Sequence, residues 1–141
     1  MPRILAVDWG ARRIGLAISD PDGIIATGLE TLQVKTIALA VQAVADTAAA
    51  QGAASIVVGL PLLMSGERGE AAHAAESFAR DLSAVTPIPV DTYDERLTSA
   101  LSERRLREVG VRTGKARARV DQGAAVALLE SFLHYRRSRA R

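Results

Sequence analysis

Four acidic residues, Asp8, Asp94, Glu95 and Asp121, stand where a chain can do metal-dependent chemistry. Asp8 closes the short apolar run Ile4-Leu5-Ala6-Val7 and is followed by Gly10. An acid at the carboxyl end of a buried strand is held rigidly, and a glycine turn leaves the space in front open to a metal or phosphate. The alternative is an Asp that hydrogen-bonds its own turn. Asp94 and Glu95 follow a segment in which Ile88, Val90 and Thr92 alternate with Pro89, Asp91 and Tyr93, the period of a strand. Run parallel to the first strand, that segment delivers Asp94, Glu95 and Arg96 to the sheet edge that carries Asp8. Asp94 suits a helix cap, and Glu95 has less reason to be there as one. Asp121 precedes Ala125, Leu128 and Phe132 at spacings of 4, 7 and 11, which puts it on an apolar helix face. A carboxylate on a core-facing stripe is costly unless paired or bound to metal. The alternative is an acid in a helix's first turn, satisfying backbone N–H groups.

Three acids from three distant segments meet the requirement of a phosphodiesterase in which two divalent ions, about 3.5–4 Å apart, activate water and stabilise the leaving oxygen. The chain has no cysteine and only two histidines, His73 and His134, so a metal must be held by oxygen. Oxygen ligands point to magnesium or manganese.

The elements that position these acids follow from patterning. Arg3 to Asp8, Arg13 to Ser19 and Ile24 to Leu32 read as three strands. The turn around Gly10 and the Asp20-Pro21-Asp22-Gly23 turn join them as an antiparallel meander. Thr36 to Gln51 has apolar residues at helical spacing and stops at Gly52. Ser55 to Leu60 is a strand buried on both faces. A loop, Pro61 to Gly69, leads to a helix over Glu70 to Val85, a fifth strand over Pro87 to Tyr93 and a helix over Leu97 to Val109. Arg112 to Arg117 reads as a basic loop, and Val120 to Arg137 as the last helix. The expected fold is α/β: a mixed five-stranded sheet, three strands antiparallel and two parallel, flanked by helices.

With 141 residues, residues 1–137 are expected to form one domain, followed by a basic tail, 138–141, that frays. No apolar run is long enough to span a membrane, and the first segment is too short for a signal peptide, so a cytoplasmic setting is expected. Charge is unevenly spread. Residues 1–100 carry 7 Lys or Arg against 12 Asp or Glu, and residues 101–141 carry 11 against 4. An acidic body beside a basic tail suits a protein that grips phosphates while holding carboxylates for a metal.

Four stretches resemble the YqgF/RuvX family, a branch of the RuvC and RNase H-like nucleases. They are Asp8-Trp9-Gly10-Ala11-Arg12-Arg13-Ile14-Gly15-Leu16-Ala17-Ile18-Ser19-Asp20, Val57-Val58-Gly59-Leu60-Pro61, Asp94-Glu95-Arg96-Leu97-Thr98-Ser99 and Asp121-Gln122-Gly123-Ala124-Ala125. They occur in family order across nearly the whole chain. The resemblance implies an RNase H-like fold, a site of Asp8, Glu95 and Asp121 for Mg²⁺ or Mn²⁺, and a branched DNA or structured RNA substrate. It also implies endonuclease activity, with Holliday-junction cleavage in DNA recombination and repair as the main reading. Maturation of the 5′ end of pre-16S ribosomal RNA is the alternative. Two symmetric nicks in a junction need two sites, which implies a homodimer. One departure stands out. RuvC relatives carry their second acid at the end of the fourth strand, where this chain has Gly59-Leu60-Pro61, so Glu95 must stand in and its distance from Asp8 is expected to be long.

Candidate nucleic-acid contacts are Arg12 and Arg13 over the site, Arg96 and Thr98 beside Glu95, and Lys115, Arg117 and Arg119 before Asp121. Trp9 could stack on an exposed base or pack at a strand end. Two readings compete with the nuclease. Asp8-x-Gly10 followed by Gly15 also resembles the first phosphate loop of the actin-like ATPases, although the chain has room for only one of their two domains. The other competitor is an inactive scaffold that binds structured nucleic acid through its basic tail.

Overall fold

The computed structural model describes residues 3–97 and 114–139, with side chains for 3–96 and 123–139. In chain order these form β1 (Arg3–Asp8), β2 (Arg13–Ser19), β3 (Ala26–Gln33), α1 (Ile37–Ala50), β4 (Ala53–Leu60), α2 (Glu70–Val85), β5 (Val90–Asp94), a 3-10 turn (Glu95–Leu97) and α3 (Gly114–Arg139). The sheet order is β3-β2-β1-β4-β5. β1 pairs antiparallel with β2 and parallel with β4, and β5 continues parallel to β4. The expected mixed sheet of three antiparallel and two parallel strands is therefore present.

The two faces of β1 explain why Ile4 to Val7 is apolar without a break. Side chains alternate across a strand. Leu5 and Val7 pack with Ile14, Leu16, Ile56 and Val58 beneath α1 and α2. Ile4 and Ala6 pack with Ala17 and Val57 beneath Ala125, Leu128, Leu129 and Leu133 of α3. A strand covered on both sides has no polar face to present.

Several boundaries differ from the sequence reading. Ile24 and Ile25 belong to a turn, not to β3. Their N–H groups both donate to Asp20 Oδ1, at 2.7 Å each, and Gly23 takes φ of 70°. Their side chains are 65% and 61% exposed, so their hydrophobicity misleads. β5 begins at Val90, after Pro87 and Pro89, which have no N–H to give a ladder. Thr36 caps α1, its Oγ1 accepting from Leu39 N at 3.1 Å. The last helix begins at Gly114 and runs to Arg139. Lys115, Arg117 and Arg119 therefore lie on a helix and not in a loop. The alternating Ala and Arg there are good helix formers, and their polarity suggested a loop only because no apolar stripe marked it. Of the helix expected over Leu97 to Val109, Leu97 ends the 3-10 turn and the rest lies outside the described residues.

Candidate active site

Asp8 and Glu95 are both fully buried, at 0% exposure, and are the only acids so placed among the described residues. Asp8 is the last residue of β1 and pairs across the ladder with Gly15 of β2. It shares the α3 face of the sheet with Ile4 and Ala6. The turn after it is tight: a Cβ at Gly10 would stand 2.5 Å from the Arg13 carbonyl oxygen, so only glycine fits. Trp9 points to the other face, 7% exposed, and stacks on Phe78 with ring centroids 4.7 Å apart. It anchors the strand end as a core residue and is not offered to a base.

Glu95 reaches the site by an indirect route. β4 separates β5 from β1, and its register puts Val58 beside Val7 and Gly59 beside Tyr93. Gly59 follows Val57 on the α3 face, next to Asp8 in the neighbouring strand. A Cβ built on Gly59 would collide with Glu95 Oε1, and would also stand 2.9 Å from its Cδ. The Glu95 carboxyl thus fills the space where a side chain of residue 59 would begin. The carboxyl lies on the track of β4, the strand next to Asp8, although the Glu95 backbone follows β5. Sequence reading noted Gly59 only as a missing acid. Its role as the opening for Glu95 depends on the β4–β5 register, which the sequence does not state.

The residue before Glu95 holds the turn. Asp94 Oδ1 accepts from Arg96 N at 2.9 Å, and the Arg96 guanidinium grips the same carboxylate through Nε and Nη2, the shortest contact being 2.7 Å. The side-chain hydrogen bond from Arg96 is the main cause that keeps the Asp94 carboxyl below its ordinary value, against the opposing effect of burial. Arg96 is correspondingly more firmly protonated. Its Nη1 also donates to the Met64 carbonyl at 3.5 Å, which ties the 3-10 turn to the loop after β4.

Asp121 lies on α3, one turn before Ala125, which is fully buried against the sheet beside Ile4 and Ala6. It stands seven residues inside the helix and not in its first turn, which removes the N-terminal reading of this acid. Its side chain lies outside the described residues, as do those of Lys115, Arg117 and Arg119, and Thr98 lies outside altogether. Arg12 and Arg13 form the turn at the Asp8 end of β1. Arg12 is exposed and its carbonyl accepts from Val34 N at 2.9 Å, while half-buried Arg13 starts β2. Among the described residues no group of three metal-ligating side chains is complete. Two buried carboxylates on one face at the ends of parallel strands nonetheless form an all-oxygen donor set, which fits a hard divalent ion.

The sequence signature of the RuvX family, described as Holliday junction resolvase, matches residues 2–135. The chain belongs to the RuvX family. It is 44% identical over 135 residues to a Chloroflexus aurantiacus protein bearing the name of a pre-16S rRNA nuclease, covering 96% of this chain and 88% of that one. A Mycobacterium ulcerans protein of the same name is 44% identical over 139 residues, covering 98% of this chain and 82% of that one. The RuvX chain also matches Thermus thermophilus RuvC in complex with a Holliday junction substrate, with TM-score 0.56 and 14% identity over 96% of each chain. That likeness shows the fold to be RuvC-like, of the RNase H class. As a RuvX member the chain is a hydrolytic phosphodiester endonuclease, as its motifs led one to expect. The names of the relatives favour the ribosomal RNA alternative over the junction reading. Among the described residues no helix is long and apolar enough to cross a membrane.

Proposed function

We propose that this RuvX protein is a divalent-metal-dependent endoribonuclease that matures the 5′ end of pre-16S ribosomal RNA, with Asp8, Glu95 and Asp121 as its carboxylates. The observation that carries the site is the buried Glu95 carboxyl lying over Gly59, next to Asp8 on the α3 face. The substrate rests on the relatives named for it, at 44% identity across nearly the full chain. Such a substrate implies a cytoplasmic setting.

Each residue has a physical task. Asp8 is fixed by the central strand, and Glu95 by a turn that the Asp94–Arg96 pair locks. Asp121 would join them from α3. These carboxylates would hold Mg²⁺ or Mn²⁺, which when bound supplies Lewis-acid activation of water and neutralises charge at the leaving oxygen. Arg12, Arg13, Lys115, Arg117 and Arg119 would hold the flanking phosphates, so affinity would fall steeply with salt. Arg96 spends one edge of its guanidinium on Asp94, so it serves as a positioning residue for Glu95.

The junction reading keeps the support of the family's description. It differs in needing two sites, and hence a symmetric dimer, where maturation of one RNA end needs one. Both are tested together. A precursor-rRNA fragment, a four-way DNA junction and a plain duplex are each incubated with manganese and either wild type or Asp8→Asn. Cleavage of the RNA alone, reduced at least roughly 100-fold in the variant, is the expected result, the scale being that of losing one electrostatic contact to developing charge. Paired nicks in the junction alone would transfer the protein to recombination. Cleavage of nothing, or cleavage indifferent to Asp8, would overturn the nuclease site as proposed.

A further inference from the structure

A groove of about 720 Å³ runs along β5, the edge strand of the sheet among the described residues, between that strand and the last turns of α3. Its walls include Asp91, Tyr93, Asp94, Phe132, Tyr135 and Arg136. Three aromatic rings meet there. Tyr93 stands edge-on to Phe132 with centroids 5.4 Å apart, and tilted to Tyr135 at 5.8 Å. The Tyr93 hydroxyl is within hydrogen-bond distance of Ser131 Oγ, at 3.3 Å, which fixes its ring from behind. Two guanidinium groups cap the cluster: Arg136 lies 5.9 Å from the Phe132 centroid and Arg139 lies 5.8 Å from that of Tyr135. Tyr135 is 44% exposed, so its ring is open to a ligand.

We propose that this groove is a stacking subsite for an unpaired stretch of nucleic acid that flanks the bond to be cut, several nucleotides away from it. Aromatic faces beside arginines bind successive bases of a single strand, because every base has a π-face and every link a negative charge. A paired duplex keeps its bases stacked on one another, so it has none to offer Tyr135. The charges fix the orientation. Asp91 is an exposed carboxylate on the strand side and repels phosphate, whereas Asp94 is neutralised by Arg96. The phosphates must therefore follow the Arg136 and Arg139 side while the bases point toward β5. A base entering over Tyr135 displaces the exposed Arg139 guanidinium or stacks on it, and in either case leaves that charge beside the backbone. Asp91 can accept from the amino group of cytosine, adenine or guanine. Asp94 lines the groove at one end and precedes Glu95 in the chain, whereas Tyr135 lies fourteen residues beyond Asp121 on α3, about 21 Å along the helix. A strand held here is aimed along β5 at the buried carboxylates.

The inference rests on the nucleic-acid reading above, and its test separates the two. Labelled single-stranded RNA, the same sequence as DNA, and a blunt duplex are titrated by fluorescence anisotropy against the full chain carrying Asp8→Asn, alone and combined with Tyr135→Ala or Tyr135→Phe. Tyr135→Ala is expected to weaken single-strand binding roughly 5- to 150-fold, the range of losing one base–aromatic stack, with duplex binding unmoved. Tyr135→Phe keeps the ring and should bind as its parent does. A shift with RNA only, or with both strands, reports whether the subsite also reads the sugar, and either supports it. Single-strand affinity indifferent to Tyr135→Ala would overturn the inference even if cleavage proceeds normally. Weakened binding in a protein that cuts nothing would keep the subsite and remove the nuclease reading. Tyr135→Ala converting a dimer to a monomer in sedimentation, with oligonucleotide affinity unchanged, would make the groove a self-interface and also overturn it.

Discussion

The two faces of the sheet are built from different materials. Beneath α1 and α2 lie Leu5, Val7, Leu16, Ile56 and Val58, sealed at the end of β1 by Trp9 stacked on Phe78. Beneath α3 the sheet presents Ile4, Ala6, Ala17, Val57 and the side-chain-free Gly59, and the helix answers with Ala124, Ala125, Leu128, Leu129 and Leu133. The first face buries large apolar groups and nothing else is asked of it. The second also buries large groups, but it narrows to Ala6 and Gly59 toward the strand ends, where Asp8 and Glu95 are buried. The aromatic seal and the two buried acids thus lie on opposite sides of the same five strands.

Substitutions on either face can break this division. Phe78→Ala removes the partner of Trp9 and leaves a cavity at a site that is 1% exposed, so unfolding free energy should fall by about 3–5 kcal/mol in denaturant titration. Cleavage per folded molecule should change little, and a matching loss of turnover in the folded fraction would contradict the division. Gly59→Ala places one methyl group against the Glu95 carboxyl. Overpacking of this kind costs about 1–3 kcal/mol, and here it should displace Glu95 and lower turnover further than stability predicts. Full activity in Gly59→Ala would mean that Glu95 is not needed over β4. The smallest effect is at Asp94. Its carboxyl is held below the ordinary 3.8, so the pair with Arg96 stabilises the fold above that value and loses its contribution as pH falls through the lowered one. Because both side chains are partly solvated, the contribution should be under about 1 kcal/mol. The melting-temperature gap between wild type and Asp94→Asn should be present at neutral pH and close in strong acid; a gap unchanged by acid would separate it from the ion pair.

What could be read from the sequence was whatever local patterning enforces. Ile4 to Val7 can only be a buried strand, so Asp8 had to stand at its end, and the alternation before Asp94 did the same for Glu95. Period and turn chemistry failed where another interaction took over. Ile24 and Ile25 look like the start of a strand, but the Asp20 carboxylate claims their N–H groups for its turn. The start of α3 was hidden because Lys115 to Arg119 carries no apolar stripe, only helix-forming residues. Trp9 could have faced a ligand or the core, and only its contact with Phe78 decides. Gly59 was visible as a glycine and invisible as a doorway, since its partner belongs to another element.

That doorway separates the address of a buried carboxyl in space from its address in the chain. An acid borne by the fourth strand would have to project from residue 59, whereas here that strand contributes a vacancy and the turn after the fifth sends a side chain across to fill it. Residues 59 and 95 therefore form one spatial unit written in two places, and neither can change alone: an acid at 59 needs an empty 95, and an acid at 95 needs an empty 59. A double exchange, Gly59→Glu with Glu95→Gly, is the single step by which one spelling of the site can be rewritten as the other.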